Sequence, residues 1–128
     1  MQQPLQGKKL LLVEDNADIQ AFVGTVARLE GATLIAASSG EEGIDTVKNN
    51  PDLDLVLLDL NLPGIQGWDV LQDIRSDASR DLAVVVFSAF TDAPTRKRAE
   101  EMGASGFIAK PVGARELVNQ LSAYLAEG

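Results

Sequence analysis

The polar and apolar positions of this chain repeat one pattern five times: a short apolar run, then a stretch of helical period. Lys9 to Val13 (KLLLV) is such a run and stops abruptly at Glu14-Asp15-Asn16. From Ala17 the period changes. Ile19, Phe22, Val23 and Val26 recur at helical spacing, and Gly31 supplies the stop. Ala32 to Ala37 reads as a second strand. Ser39 followed by Glu42 is a capping-box pattern and opens a helix through Ile44 and Val47 to Asn49-Asn50-Pro51. Val56 to Leu60 reads as the third strand, followed by the turn Leu62-Pro63-Gly64 and a helix with Val70, Leu71 and Ile74 on one face. Leu82 to Phe87 is the most β-branched run and ends at Ser88. Thr91 or Asp92 is expected to cap a fourth helix, with Pro94 in its first turn and an end at Met102-Gly103. Gly106 to Ala109 is a short strand reaching Lys110-Pro111, and the last helix carries Leu117, Val118, Leu121, Tyr124 and Leu125.

Strict alternation of near-continuous apolar strands with helices predicts an α/β fold, a parallel sheet covered on both faces. One domain is expected over residues 9–126, with residues 1–8 as a flexible arm. The fourth helix, APTRKRAEEM, offers little to a core beyond Ala99 and Met102. It reads either as a loosely held element that shifts at low cost or as a small-residue packing surface with an exposed basic patch.

Composition narrows the chemistry. The 128 residues contain no cysteine and no histidine, which excludes disulfides, thiolate or imidazole metal sites and histidine-based nucleophilic catalysis. A net charge of −8 argues against direct binding to a phosphate backbone. No apolar stretch approaches the roughly 18 residues that span a bilayer, and the N-terminus lacks the pattern of a secretory signal. A cytoplasmic location is the expectation. The available chemistry is that of carboxylates, hydroxyls, lysine and an oxygen-loving cation.

Ligand sites of open parallel sheets lie beyond the carboxyl ends of the strands. There the first strand delivers Glu14 and Asp15, the third Asp59, the fourth Ser88 and the fifth Lys110. The second delivers Ser38 and Ser39, read as helix caps. Carboxylates about 4 Å apart repel by on the order of 4 kcal/mol per pair at an effective dielectric near 20. Lys110 and a divalent cation would relieve that repulsion, and with oxygen ligands alone the natural cation is Mg²⁺. Asp15 and Asp59 would supply two ligands, and a turn carbonyl such as that of Asn61 a third. An ionised Asp attacks phosphorus without a general base, so the parts fit acyl-phosphate formation on Asp59. Each part also has a plain reading: Asp15 and Asn16 as caps, Asp59 as a turn residue, Ser88 as a local hydrogen-bonder.

In order on alternating βα units, LVEDN, LLDLNLPG, FSA and KP resemble the receiver domain of two-component response regulators over about residues 8–126. The resemblance implies a flavodoxin-like (βα)5 fold with strand order 2-1-3-4-5. It implies that Asp59 accepts a phosphoryl group from a phosphohistidine on a histidine kinase or histidine phosphotransfer protein. Asp15 then ligates Mg²⁺ directly and Glu14 indirectly, and the Asn61 backbone carbonyl completes the protein's share of the site. Lys110 pairs with the phosphoryl group ahead of a cis bond to Pro111, Ser88 is the switch hydroxyl and Ala89 the small residue beside it. Phe107 stands where the family carries a rotating aromatic, here without a hydroxyl, and its orientation is left open. Phe90, two past Ser88, is expected to shield an acyl phosphate from water. The implied output is a change in the surface of the fourth helix, fifth strand and fifth helix toward a protein target, and a phosphorylation-dependent homodimer is admitted. Self-phosphorylation and self-dephosphorylation are the only activities implied.

Two other classes share parts of this pattern. Phosphohydrolases of the haloacid dehalogenase type also combine an Asp nucleophile with Mg²⁺, but they resemble D-x-D near the start of the chain. Asp59 lies mid-chain, its position two along is Asn61, and no cap region is present. A non-phosphorylated scaffold with the same fold has no use for the complete residue set. A stand-alone receiver and a domain excerpted from a longer regulator or hybrid histidine kinase are both compatible with the chain.

Overall fold

A computed structural model describes residues 4–77, 79–90 and 92–125. The chain runs β1 (Lys9–Val13), α1 (Ala17–Leu29), β2 (Thr33–Ala37), α2 (Gly40–Asn49), β3 (Leu55–Leu58), α3 (Gly67–Arg75), β4 (Ala83–Ser88), α4 (Ala93–Glu101), β5 (Gly106–Ala109) and α5 (Ala114–Leu125). The strands pair in parallel in the order β2-β1-β3-β4-β5, as the resemblance implied.

Successive strand residues serve opposite faces, which is why the strands read as continuous apolar runs. Leu11, Val13, Val56, Leu58 and Val84 meet Val47, Val70, Leu71 and Ile74 of α2 and α3 on one side. Leu10, Leu12, Leu55, Leu57, Val85, Phe87 and Ile108 meet Val23, Val26, Leu117 and Leu121 of α1 and α5 on the other. A third, small cluster of Leu60, Val86 and Ala99 lies against Trp68 and Phe107.

Several local readings shift by a residue or two. The third strand leaves its ladder at Leu58 rather than Leu60, although Asp59 still donates its N–H to the Val13 carbonyl at 3.0 Å. Leu60 stays buried because the chain turns it into the third cluster. The fourth strand extends to Ser88, opposite Ala109. Ser39 caps α2 through Glu42 N–H, but the Glu42 carboxylate accepts from the Ser38 N–H instead of completing the box on Ser39. Asp92 caps α4 through the Thr95 N–H, while Thr91 lies outside the described residues. Gly31 and Gly103 sit at φ of 77° and 96°, the left-handed backbone that ends a helix.

The expected flexible arm differs over its described part. Leu5 has no exposure and belongs to the α1–α5 side of the core, and Gly7 donates its N–H to the Gly31 carbonyl at 3.0 Å. A lone apolar residue among polar neighbours carries no periodic signal, and its burial depends on the core it meets. Residues 1–3 lie outside the described residues.

Two side chains fasten the end of the molecule opposite the strand carboxyl ends. Arg75, at the close of α3, donates Nε to the Gly103 carbonyl (2.7 Å), Nη1 to the Leu82 carbonyl (2.7 Å) and Nη2 to Ser105 Oγ (3.2 Å). Tyr124 lies so close over Gly106 that a Cβ there would come within 2.1 Å of its ring, and its hydroxyl accepts the Phe107 N–H at 3.3 Å. No helix among the described residues is long and apolar enough to cross a membrane.

Candidate functional site

The residues expected at the strand ends are brought together by the register of the sheet. β3 and β5 flank β4, and β1 flanks β3, all in parallel, so the chain leaves these strands along one edge of the sheet. Glu14 follows β1 with its N–H on the Ala37 carbonyl at 2.9 Å, and Asp59 follows β3 with its N–H on Val13. Lys110 follows β5 with its N–H on the Ser88 carbonyl at 2.9 Å. Backbone bonds to neighbouring strands therefore fix the origin of each side chain.

Glu14 is 1% exposed, Asp59 6% and Ser88 1%, while Asp15 is exposed. One carboxylate oxygen from each of Glu14, Asp15 and Asp59 lies within 4.8 Å of the others. The Lys110 ammonium reaches into this group, bonding Glu14 Oε1 and standing 3.4 Å from Asp59 Oδ2. Three carboxylates facing one ammonium leave two negative charges uncompensated when all are ionised. The donors are oxygen throughout and the missing charge is that of a divalent ion, so the residues present fit Mg²⁺.

Burial pushes the Glu14 carboxyl above its ordinary range; the Lys110 hydrogen bond pulls it back and the charge on Asp59 pushes it up again. Folded Glu14 thus holds a proton more tightly than unfolded Glu14. Its contribution to metal-free stability is present below the ordinary value of 4.5 and is lost as pH rises through the raised folded value. Glu14→Gln is expected to flatten that limb in a pH series of thermal melts without added metal. A limb that persists unchanged would assign it to another group.

Smaller contacts set the orientation of these groups. Asp59 Oδ1 accepts the Asn61 N–H at 3.2 Å, which holds the exposed Asn61 beside the carboxylate. Ser88 Oγ accepts the Phe90 N–H at 3.0 Å, tying the expected switch position to the residues that follow β4. Ala89 and Phe90 are exposed, Phe90 by 53%, and Phe107 is half-buried. The Lys110–Pro111 peptide is cis. Asn16, not Asp15, caps α1, accepting the Ile19 N–H at 3.0 Å, which frees the Asp15 carboxylate for the cluster.

Three features were missed in the sequence. The Gln20 side-chain amide donates to the Glu14 carbonyl and to Ser38 Oγ, bracing the acidic loop from α1. Gly67, the first residue of α3, packs directly under the acceptor candidate: a Cβ there would stand 2.2 Å from the Asp59 carbonyl oxygen and 2.7 Å from Leu60 Cα. A glycine inside a helix costs about 1 kcal/mol relative to alanine, and that cost was the available signal that something needs the space. Thirdly, Arg96 and Arg98 of α4 lie over aromatic rings, Arg96 4.5 Å from the centroid of Phe107 and Arg98 4.1 Å from that of Trp68. The sequence TRKR shows the charges but not the rings that receive them.

Comparison with known proteins agrees with this architecture. Residues 10–122 match the response regulator receiver domain. The phosphate regulon transcriptional regulatory protein PhoB of Klebsiella pneumoniae is 33% identical over 119 residues, 92% of this chain and 52% of that protein. The probable transcriptional regulator ycf27 of Porphyridium aerugineum is 31% identical over 121 residues, 94% and 49% of the two chains. The chain thus spans about half the length of the curated relatives it matches. Among solved structures, a chain of the CheX–CheY–BeF3–Mg²⁺ complex from Borrelia burgdorferi superposes with a TM-score of 0.86 at 26% identity, covering 92% of this chain and 89% of that one. The chemotaxis protein CheY4 of Vibrio cholerae shares the fold at a TM-score of 0.86 and 21% identity, over 92% and 98%. By the breadth of the family match and the identity of these relatives, the chain belongs to the response regulator receiver domain family.

Proposed function

We propose that this domain accepts a phosphoryl group on Asp59 in a Mg²⁺-dependent reaction and changes its protein-binding surface in response. The observation that carries the reading is the convergence of Glu14, Asp15 and Asp59 on one ammonium, that of Lys110, at the carboxyl end of the sheet. The donor is a phosphohistidine on a histidine kinase or histidine phosphotransfer protein. An Asp59 carboxylate oxygen attacks phosphorus, the P–N bond breaks, and the departing imidazole takes up a proton from solvent.

Asp15, Asp59 and the Asn61 backbone carbonyl would hold Mg²⁺, with Glu14 acting indirectly. When bound, the ion neutralises phosphoryl oxygens and the acidic cluster. Lys110 supplies a second fixed positive charge on the phosphoryl group, already paired with Asp59 before the reaction. The Ser88 hydroxyl donates to a phosphoryl oxygen and moves toward Asp59. That movement pulls the Phe90 N–H and the loop into α4, because Ser88 Oγ is their hydrogen-bond partner. A phosphoryl group shifts the population only through contacts made more strongly in the active state, and Ser88 and Lys110 are the side chains placed to provide them. The α4–β5–α5 surface is then the output face toward a protein target.

The reading is tested by incubation with a small phosphodonor with and without Mg²⁺, followed by intact-mass measurement. A gain of one phosphoryl group that requires Mg²⁺ supports it. No gain with any donor would favour the unphosphorylated scaffold. The half-exposed ring of Phe90 lies beside the loop at Ser88, where it limits approach of water to the acyl phosphate. Phe90→Ala is expected to shorten acyl-phosphate lifetime several-fold in a decay assay, and an unchanged lifetime would remove that role.

A further inference from the structure

We infer that Arg96 and Arg98 act as a latch on α4, holding it against Phe107 and Trp68 and so setting how readily the domain activates. This rests on the phosphoacceptor reading of Asp59 and adds the residues that oppose it.

The inference starts from how little else holds this helix. Ala99 is the one buried residue of α4, and Pro94, Arg96, Lys97, Arg98 and Glu100 are all exposed. Apolar burial, which fastens α1, α2, α3 and α5, is therefore nearly absent here. In its place, two guanidinium groups lie over two rings from different elements. Arg96 covers Phe107 of β5 at 4.5 Å and Arg98 covers Trp68 of α3 at 4.1 Å, both inside the roughly 6 Å range of a cation–π contact. The two rings also border the small cluster of Leu60, Val86 and Ala99, in which Leu60 follows Asp59 directly and Val86 lies two residues before Ser88 on β4. The latch thus touches the same packing that a movement of Ser88 disturbs.

The connection to the site is continuous in the chain. Ser88 Oγ holds the Phe90 N–H, and the loop ends two residues later at Asp92, which caps α4 through the Thr95 N–H and hydroxyl. Drawing Ser88 toward Asp59 therefore draws on the N-terminal end of α4, one turn before Arg96 on Phe107, while Arg98 in the last turn holds Trp68. Contacts that exist in one arrangement of α4 and are lost in the other weigh directly on the population of the two. At exposed sites each such stack is worth a factor of about two to five in that balance.

The test is the affinity of the protein for beryllofluoride, a mimic of the phosphoryl group, measured with Mg²⁺ by fluorine NMR. Arg96→Met keeps the length and apolar stem of the side chain but removes its charge, and is expected to bind beryllofluoride about two- to fivefold more tightly than the parent. Arg96→Lys, which retains a cation, should return toward the parent affinity. Trp68, the single tryptophan of the chain, provides a second readout at a distance from the substitution. Its emission in ligand-free Arg96→Met should move toward that of the beryllofluoride-saturated parent. Unchanged or weaker affinity in both Arg96→Met and Arg98→Met would overturn the latch, since a purely structural loss does not favour the active state. A parent protein that fails to bind beryllofluoride with Mg²⁺ would instead overturn the phosphoacceptor reading itself.

Discussion

Asp59→Asn is expected to reduce phosphoryl incorporation from a small donor to background while leaving the fold intact. The amide has no ionised oxygen with which to attack phosphorus, and the chain contains no histidine to take over. Asp15 is exposed, and Glu14 is 1% exposed and bonded directly to Lys110, whereas Asp59 stands 3.4 Å from that ammonium, so neither neighbour is placed as Asp59 is. The fold should survive because the substitution removes charge from a crowded cluster. Two neighbouring carboxylates repel Asp59, and one ammonium at 3.4 Å attracts it. The metal-free melting temperature is therefore expected to hold or rise, and the gain in melting temperature on adding Mg²⁺ to shrink. Intact mass after donor treatment and thermal melts with and without Mg²⁺ read the two effects separately. A full phosphoryl gain in Asp59→Asn would place the acceptor elsewhere.

Gly67→Ala should be the most damaging single methyl group in the chain's active half. By helix propensity alone, alanine at this position would stabilise by up to about 1 kcal/mol. The geometry reverses that sign. The nearest atoms to the added Cβ are backbone, the Asp59 carbonyl oxygen at 2.2 Å and Leu60 Cα at 2.7 Å, and cannot swing aside as a side chain does. Overpacking of this kind costs roughly 1–3 kcal/mol, and relief requires displacing α3 or the acceptor strand. A net loss of about 2 kcal/mol in urea denaturation is expected, with a slower phosphorylation rate because Asp59 is itself what moves. An alanine variant with the parent's midpoint and rate would show that α3 yields at no cost.

The order of elements and the meeting of Glu14, Asp15, Asp59 and Lys110 were legible because their signals are local or repeated. Apolar runs ending in Glu14-Asp15, Asp59, Ser88 and Lys110 mark strand ends, and a parallel sheet brings strand ends together whatever fills the core. Contacts between distant side chains were not legible. Nothing in TRKR says that Arg96 and Arg98 find rings on β5 and α3, because Trp68 and Phe107 lie 30 and 11 residues or so away, and only the packing of α4 selects them. Gly67 was passed over for a related reason: its message concerns the backbone beneath it, and a sequence shows no backbone distances. Leu5 misled because a single apolar residue has no period.

The grip of Arg75 makes α4 a lever with its fulcrum at one end. The guanidinium binds the Gly103 carbonyl, just past the helix, and also Leu82 and Ser105, at the foot of the sheet. A nine-residue helix is roughly 13 Å long at 1.5 Å per residue. Pivoted near Gly103, a tilt of about 5° carries its far end roughly 1 Å, by the same length, while its near end stays in place. In the proposed response, a pull at Ser88 would be applied where the lever arm is longest, and the foot of the sheet would not need to deform to let it through.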